Sequence, residues 1–171
     1  MIIRNAKPED AEGIANVLVQ SYNIDDIEEG KAAFEKETKK EYNYVVAEED
    51  GKIIGLTTWQ MHGLPKHQLA ELDRIAVLPE YRGKGVARQL FNKLLEEANK
   101  AYRDAGSKLR KLYLLTHASN ARAQAFYKKL GFLHESTLKS HYYDNEDEFV
   151  FTLFLDSMGG DGGKNGNIQE S

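Results

Sequence analysis

The sequence predicts a single α/β domain built on a mixed sheet, with about seven strands and four helices. Three observations carry that expectation. The elements run strand, two helices, three strands, helix, strand, helix, two strands. An Asp50-Gly51 dipeptide between two apolar runs marks a tight hairpin. A long amphipathic helix then separates two apolar strands, the pattern of a parallel crossover of right-handed sense.

Each element has a local reason. Ile2-Ile3-Arg4 reads as a first strand, and Pro8 opens a helix where a missing N–H costs nothing. Glu9 and Asp10 suit the positive end of its dipole, and Ala11, Ile14, Val17, Leu18 and Tyr22 recur at helical spacing. Residues 27–40 form a second, more polar helix. Residues 43–49 and 52–60 are the hairpin strands, and Gly55 within the second signals a bulge or a close backbone approach. Residues 61–68 are a loop, and 69–78 a fourth strand that stops at Pro79.

A helix from Gly85 or Val86 to about Ala105 buries Val86, Leu90, Leu94 and Ala98, and Gly106 ends it. Residues 110–116 are a fifth strand. Asn120 caps the next helix, which closes at Leu130-Gly131, and Gly131 suits a left-handed C-terminal position. Strands over 132–139 and 147–155 follow, with Asp144-Asn145-Glu146 as their turn. The domain is expected over 1–156, and the Gly-rich, polar residues 157–171 as a flexible tail.

Composition narrows the function. Among 171 residues, 23 Lys and Arg against 27 Asp and Glu give a net charge of −4, which disfavours coating nucleic acid. No apolar run is long enough to span a membrane, and MIIRNAKPED lacks a signal-peptide core. Cysteine is absent, so disulfides, thiolate metal sites and cysteine nucleophiles are excluded. His62, His67, His117, His134 and His141 show no metal-ligand spacing, so no metal is expected. A cytoplasmic enzyme acting on small charged molecules is the plain expectation.

The most informative stretch is Leu72 to Ala87, LDRIAVLPEYRGKGVA. A strand ends, a basic Gly-containing turn follows and a helix begins at once. Free N–H groups at a helix N-terminus bind phosphate oxygens. Gly83 and Gly85 permit close backbone approach, and Arg82 and Lys84 add positive charge. A Walker loop is absent. A dinucleotide fingerprint fails because Arg88 stands where its third small residue belongs, and three strands precede the loop. The pattern Arg/Gln-x-x-Gly-x-Gly/Ala is met by Arg82, Gly85 and Ala87.

With IAVLPEYRGKGVARQL in this form and a second block, SNARAQAFYKKLGF, over 119–132, the chain resembles the GNAT superfamily of acetyl-CoA-dependent N-acetyltransferases. The likeness spans roughly residues 2–155 and includes the element order. It implies the single-domain acyl-CoA N-acyltransferase fold, with acetyl-CoA as cosubstrate. Backbone groups of Ile75, Ala76 and Val77 would pair with the pantetheine arm, and amides around Arg82, Gly83, Lys84, Gly85, Val86 and Ala87 would hold the pyrophosphate. Asn120 would contact the pantetheine or adjoining backbone, and Tyr127 would lie near the thioester sulfur.

The family reaction is direct attack of a neutral amine. Tyr127 is then the candidate acid for the departing thiolate; by position alone it also reads as an aromatic core residue beside Phe126. Glu71 is the candidate base, acting through water, with Asp73 the second choice; an ion pair with Arg74 is the structural alternative for Glu71. Tyr22, Glu71 and Tyr142 are the candidate acceptor-binding residues.

Tyr22 and the carboxylates Asp25, Asp26, Glu28 and Glu29 fall in the segment expected to wall the acceptor pocket, which favours a small cationic amine such as a polyamine; helix capping and a solvated face are the structural alternative for these acids. HYYDNEDEFVF, 141–151, resembles instead the paired tyrosines of N-terminal acetyltransferases, through Tyr142 and Tyr143. Leu115, where bacterial ribosomal-protein enzymes carry Glu, departs from that subgroup. A lysine acetyltransferase, a non-catalytic acyl-CoA-binding module and a protein-interaction domain are the alternatives, and a homodimer is the assembly the likeness implies.

Overall fold

The computed structural model describes residues 1–155; the tail expected from Ser157 lies outside the described residues. The sheet has seven strands in the order β1-β2-β3-β4-β5-β7-β6. They are β1 (Ile2–Asn5), β2 (Asn43–Glu49), β3 (Lys52–Met61), β4 (Leu69–Val77), β5 (Lys111–His117), β6 (Leu133–Tyr143) and β7 (Glu146–Phe154). All neighbours are antiparallel except β4 and β5. The helices are α1 (Ala11–Ser21), α2 (Ile27–Lys39), α3 (Val86–Asp104) and α4 (Ala121–Lys129).

The hairpin forms as its dipeptide demands: Asp50 and Gly51 take φ of 50° and 77°, the pair a type I′ turn requires. The middles of β2 and β3, Tyr44 to Ala47 and Ile53 to Trp59, are buried throughout because both faces are covered. Tyr44, Val46 and Leu56 pack under α1 and α2, whereas Val45, Ala47 and Ile54 pack under Val86 and Leu90 of α3. Gly55 is a close approach, since a Cβ there would lie 2.9 Å from the Ala76 carbonyl oxygen. The α3 stripe is wider than Val86, Leu90, Leu94 and Ala98, because Phe91 and Tyr102 are buried with it.

Two elements differ from expectation. Tyr22 is not in α1; it is the C-cap, extended at φ −135°, which turns its ring off the buried stripe and across β4. β6 runs on to Tyr143 instead of stopping near Lys139. A register shift between Leu138 and Tyr143 is absorbed at Ser140, whose φ is 44°. Ser140 N–H donates to Asp147 and its hydroxyl to the Asp144 carbonyl, which satisfies the irregular backbone and lets the strand resume. The turn is correspondingly shorter, and Tyr142 and Tyr143 stand on a strand.

Candidate active site

β4 and β5 share a ladder of only three residue pairs, Leu69 with Lys111, Ala70 with Leu112 and Glu71 with Tyr113. Beyond Glu71 they part. β4 carries an extra residue, Asp73, where its register on β3 shifts between Thr58 and Trp59, and such a bulge increases local twist. β4 stays on β3 and β5 stays on β7, so a wedge opens between them. It forms a cleft of about 1010 Å³ that reaches from Tyr22, Glu71 and Tyr142 to Gly83, Gly85 and Arg88.

The open edge of β4 supplies backbone groups to this wedge. Leu78 N–H donates to Ile54 of β3, so by strand alternation Ile75 and Val77 direct their groups away from β3. Ile75 carbonyl accepts from the Tyr22 hydroxyl at 3.1 Å, and Val77 carbonyl from Arg82 Nε at 2.9 Å. The Arg82 guanidinium therefore ties the loop to the strand end.

The loop itself presents backbone. Gly83 and Gly85 have φ of 75° and 78°, a conformation that penalises any side chain, and a Cβ on either would meet nothing within 4 Å. Among the described residues, no amide from Gly83 to Arg88 donates to a backbone carbonyl; the ladder of α3 begins with Gln89 to Gly85. These amides and the positive end of a 19-residue helix converge on open space. Lys84 is aside from this, its ammonium 5.1 Å from the Tyr81 ring centre. Asn120 serves as the N-cap of α4, accepting from Ala123 N–H at 3.1 Å, and lines the cleft.

At the other end Glu71 is not paired with Arg74. Its Oε2 accepts from the Tyr113 hydroxyl at 3.0 Å and from Gln60 Nε2 at 3.2 Å, which leaves Oε1 without a hydrogen-bond partner among the described residues. Arg74 instead holds Glu37 of α2 at 2.7 Å and Asp73 at 3.2 Å. Asp73 is thereby engaged with a cation and with Thr58, although burial pushes its carboxyl upward. Glu37 also accepts from the Tyr44 hydroxyl. Tyr22 lies over the Arg74 guanidinium at 5.7 Å, and packing around its hydroxyl pushes that phenol up to about 12.

Tyr127 is buried, with Phe126, Phe132 and Phe151 around its ring. Burial drives its phenol above the ordinary tyrosine range, and no hydrogen bond from the described residues acts on it. Tyr142 and Tyr143 are exposed and line the cleft, and burial of its hydroxyl end, then the charge of Glu71, raise the Tyr142 phenol. Buried Glu148 accepts from His117 Nδ1, fixing that ring beside Tyr143.

Sequence reasoning thus named residues that the fold gathers: Glu71, Tyr127, Asn120, Tyr22, Tyr142 and the Ile75–Val77 edge all line one cleft. It missed Tyr113, Gln60 and Glu148. Tyr113 is one member of an alternating strand and Glu148 one of four acids in NEDEFVF and its flank, so neither carries a local signal. The carboxylates of 25–29 are not on the cleft. Asp26 caps α2 by accepting from Glu29 N–H, Glu29 accepts from Asp25 N–H, and Glu28 pairs with Lys31.

A cosubstrate with phosphates at one end and an extended amide chain fits this cleft, since free amides line the loop and the N–H groups of Ile75 and Val77 face the wedge; Ala76, expected to share in that pairing, directs its backbone groups to β3 instead. Among the described residues, no cluster of three or more His, Asp or Glu could hold a metal ion, and no helix is long and apolar enough to cross a membrane.

Comparison with known proteins identifies relatives of this chain. An N-alpha-acetyltransferase of Sulfurisphaera tokodaii is 29% identical over 171 aligned residues, covering 90% of this chain and 92% of that protein. An uncharacterized N-acetyltransferase of Methanocaldococcus jannaschii is 32% identical over 104 residues, covering 59% of this chain but only 43% of that protein. The crystal structure of an N-acetyltransferase from Staphylococcus aureus Mu50 superposes with a TM-score of 0.70 at 28% identity, covering 90% of this chain and 98% of that one. The model of the acetyltransferase (GNAT) family matches residues 11–132, and the chain belongs to that family.

Proposed function

We propose that this acetyl-CoA-dependent N-acetyltransferase acts on the free α-amine of a polypeptide, with Glu71 as base through a water and Tyr127 as proton donor. The observation that carries the acceptor is the pair Tyr142 and Tyr143, exposed on β6 and lining the cleft mouth beside Glu71. Two phenols on an extended strand can grip the backbone of an entering peptide end. Of the carboxylates at 25–29, which would draw a polycation, Asp26, Glu28 and Glu29 are engaged in helix capping and an ion pair, and none of the four lines the cleft. The archaeal relative described as an N-alpha-acetyltransferase supports the same acceptor. A small cationic amine is the second reading, favoured by Glu71, Asp73 and Glu148 on the cleft wall.

Acetyl-CoA, when bound, supplies the activated acetyl group; the rest is the work of side chains. An alkyl ammonium has a pKa near 10, so it must lose a proton before it can attack. Glu71 Oε1 is free to hold a water that takes that proton, while Tyr113 and Gln60 fix the other oxygen and so the carboxylate plane. Asp73 is poorly suited to the task because Arg74 and Thr58 already engage it. Tyr127 keeps its proton, since burial disfavours the phenolate, and offers an O–H to the thiolate as charge develops. Arg82 and the amides from Gly83 to Arg88 neutralise and orient the phosphates, at a distance from the acceptor.

CoA release tests the acceptor. Peptides with free N-termini should be acetylated with kcat/KM at least about tenfold above spermidine and above the same peptides blocked at the N-terminus but carrying an internal lysine, a discrimination of ~1.4 kcal/mol. Equal or faster turnover of spermidine would establish the second reading; turnover of the blocked peptides would establish a lysine acetyltransferase.

A further inference from the structure

We infer that Tyr113 and His62 form a proton exit from Glu71 to solvent on the side of the sheet end away from the substrates. The inference rests on Glu71 as the base. A base that takes a proton each turnover must lose it again, and a peptide end and a cosubstrate arm together cover the open side of Glu71. A second way out exists behind it. Tyr113 hydroxyl lies 3.0 Å from Glu71 Oε2 and 3.2 Å from His62 Nδ1, so it bridges the two. The His62 ring stands edge-on to Tyr113, centroids 5.7 Å apart, and the residue is exposed in the loop that follows β3. His62 is held in place by its own backbone, whose N–H donates to the Leu69 carbonyl at 2.9 Å.

Each member suits its part. Burial and the adjacent Glu71 charge raise the Tyr113 phenol, so it passes a proton and does not rest as phenolate. Histidine is the side chain that both accepts and releases protons near neutral pH. Before turnover the Tyr113 hydroxyl donates to Glu71. Once Glu71 is protonated the direction reverses: the carboxyl O–H gives its proton to the Tyr113 oxygen as Tyr113 O–H gives its own to His62 Nδ1. His62 then releases a proton from Nε2 to water, and exchange of the exposed ring with water moves the proton it gained from Nδ1 to Nε2, so that Nδ1 can accept again. Glu71 returns to carboxylate, Tyr113 and His62 return to neutral, and one proton has left. His62 and Tyr113 are positioning residues in this sense, since neither touches the reacting atoms.

The test compares His62→Gln, Tyr113→Phe and Glu71→Gln in weakly buffered solution with added imidazole. His62→Gln is expected to lower kcat about tenfold with KM for both substrates unchanged, and imidazole to restore most of the loss. Tyr113→Phe is expected to lose at least as much and to stay unrestored, because it breaks the path inside the protein and also removes the donor that holds Glu71 Oε2. A His62→Gln enzyme with wild-type kcat, or one whose loss imidazole leaves untouched while its melting temperature is unchanged, overturns the exit. Those outcomes with Glu71→Gln still inactive leave the base in place; a fully active Glu71→Gln overturns both.

Discussion

The two ends of the cleft are built in opposite ways. The loop end is one continuous stretch, Arg82 to Arg88, and what it offers is backbone: free amides, two glycines at positive φ and a helix dipole. The acceptor end is made of side chains from β3, β4, β5, β6 and the α1–α2 connection: Gln60, Glu71, Tyr113, Tyr142 and Tyr22. A site built from the backbone of one short stretch can be written in a local motif. An acceptor differs from enzyme to enzyme, and loosely connected strands allow its walls to change without disturbing the loop.

The largest effects should separate the ends cleanly. Glu71→Gln is expected to cut kcat by roughly 10²–10³-fold and Tyr127→Phe by about 10²-fold, the range of general acid–base catalysis. Both should keep the stabilisation given by acetyl-CoA, about 2.7 kcal/mol at 100 times its dissociation constant, read as a shift in Tm. Loss of that stabilisation in Glu71→Gln would mean that the two ends are one unit.

A smaller effect tests whether the loop works through its backbone. Gly85→Ala forces a methyl into a left-handed conformation at a cost of roughly 1–2 kcal/mol, and aims it into open space where phosphate would sit. KM for acetyl-CoA should rise by about tenfold with kcat nearly unchanged. Lys84→Ala should raise it less than about threefold, a rim charge in water being worth under ~1 kcal/mol, because the Lys84 ammonium lies over Tyr81. A larger loss in Lys84→Ala would make the loop a side-chain site after all.

The smallest effect on catalysis is expected far from both ends. Arg4 binds Asp10 through two nitrogens at 2.7 and 2.8 Å and also Glu48, and the Arg4 hydrogen bond holds the Asp10 carboxyl below its usual range. A lowered folded-state pKa means stability that is present above the unfolded value near 3.9 and lost as pH falls through the folded one. Asp10→Asn should therefore cost about 2 kcal/mol at pH 7, and progressively less below pH ~4, with kcat unchanged. Urea unfolding at both pH values measures it; an equal cost at acid pH would assign the loss to packing.

Several residues show where local reading succeeds and fails. Asp50-Gly51, Gly85 and Asn120 were legible because turn, loop and cap each impose a requirement on one or two residues, and the residue types meet it. Tyr22 was misassigned to α1 because its spacing fits a helix, while its hydroxyl is needed at Ile75 and the backbone leaves the helix to reach it. The acids at 25–29 admitted two readings, a pocket wall or helix capping with solvated charge, and hydrogen bonds to nearby amides engage two of them in the second way. Charge is visible in a sequence, but its partner is not.

By itself the sequence determined the element types, the parallel crossover and the glycine turn that opens α3, because apolar period, turn chemistry and helix termini act over a few residues. Only the tertiary structure decided that β4 and β5 separate after Glu71, that Arg74 turns to Glu37 and leaves Glu71 free, and that Tyr113 joins Glu71 to His62. Those are contacts between residues up to 51 positions apart, fixed by strand order and register, and no local pattern encodes them.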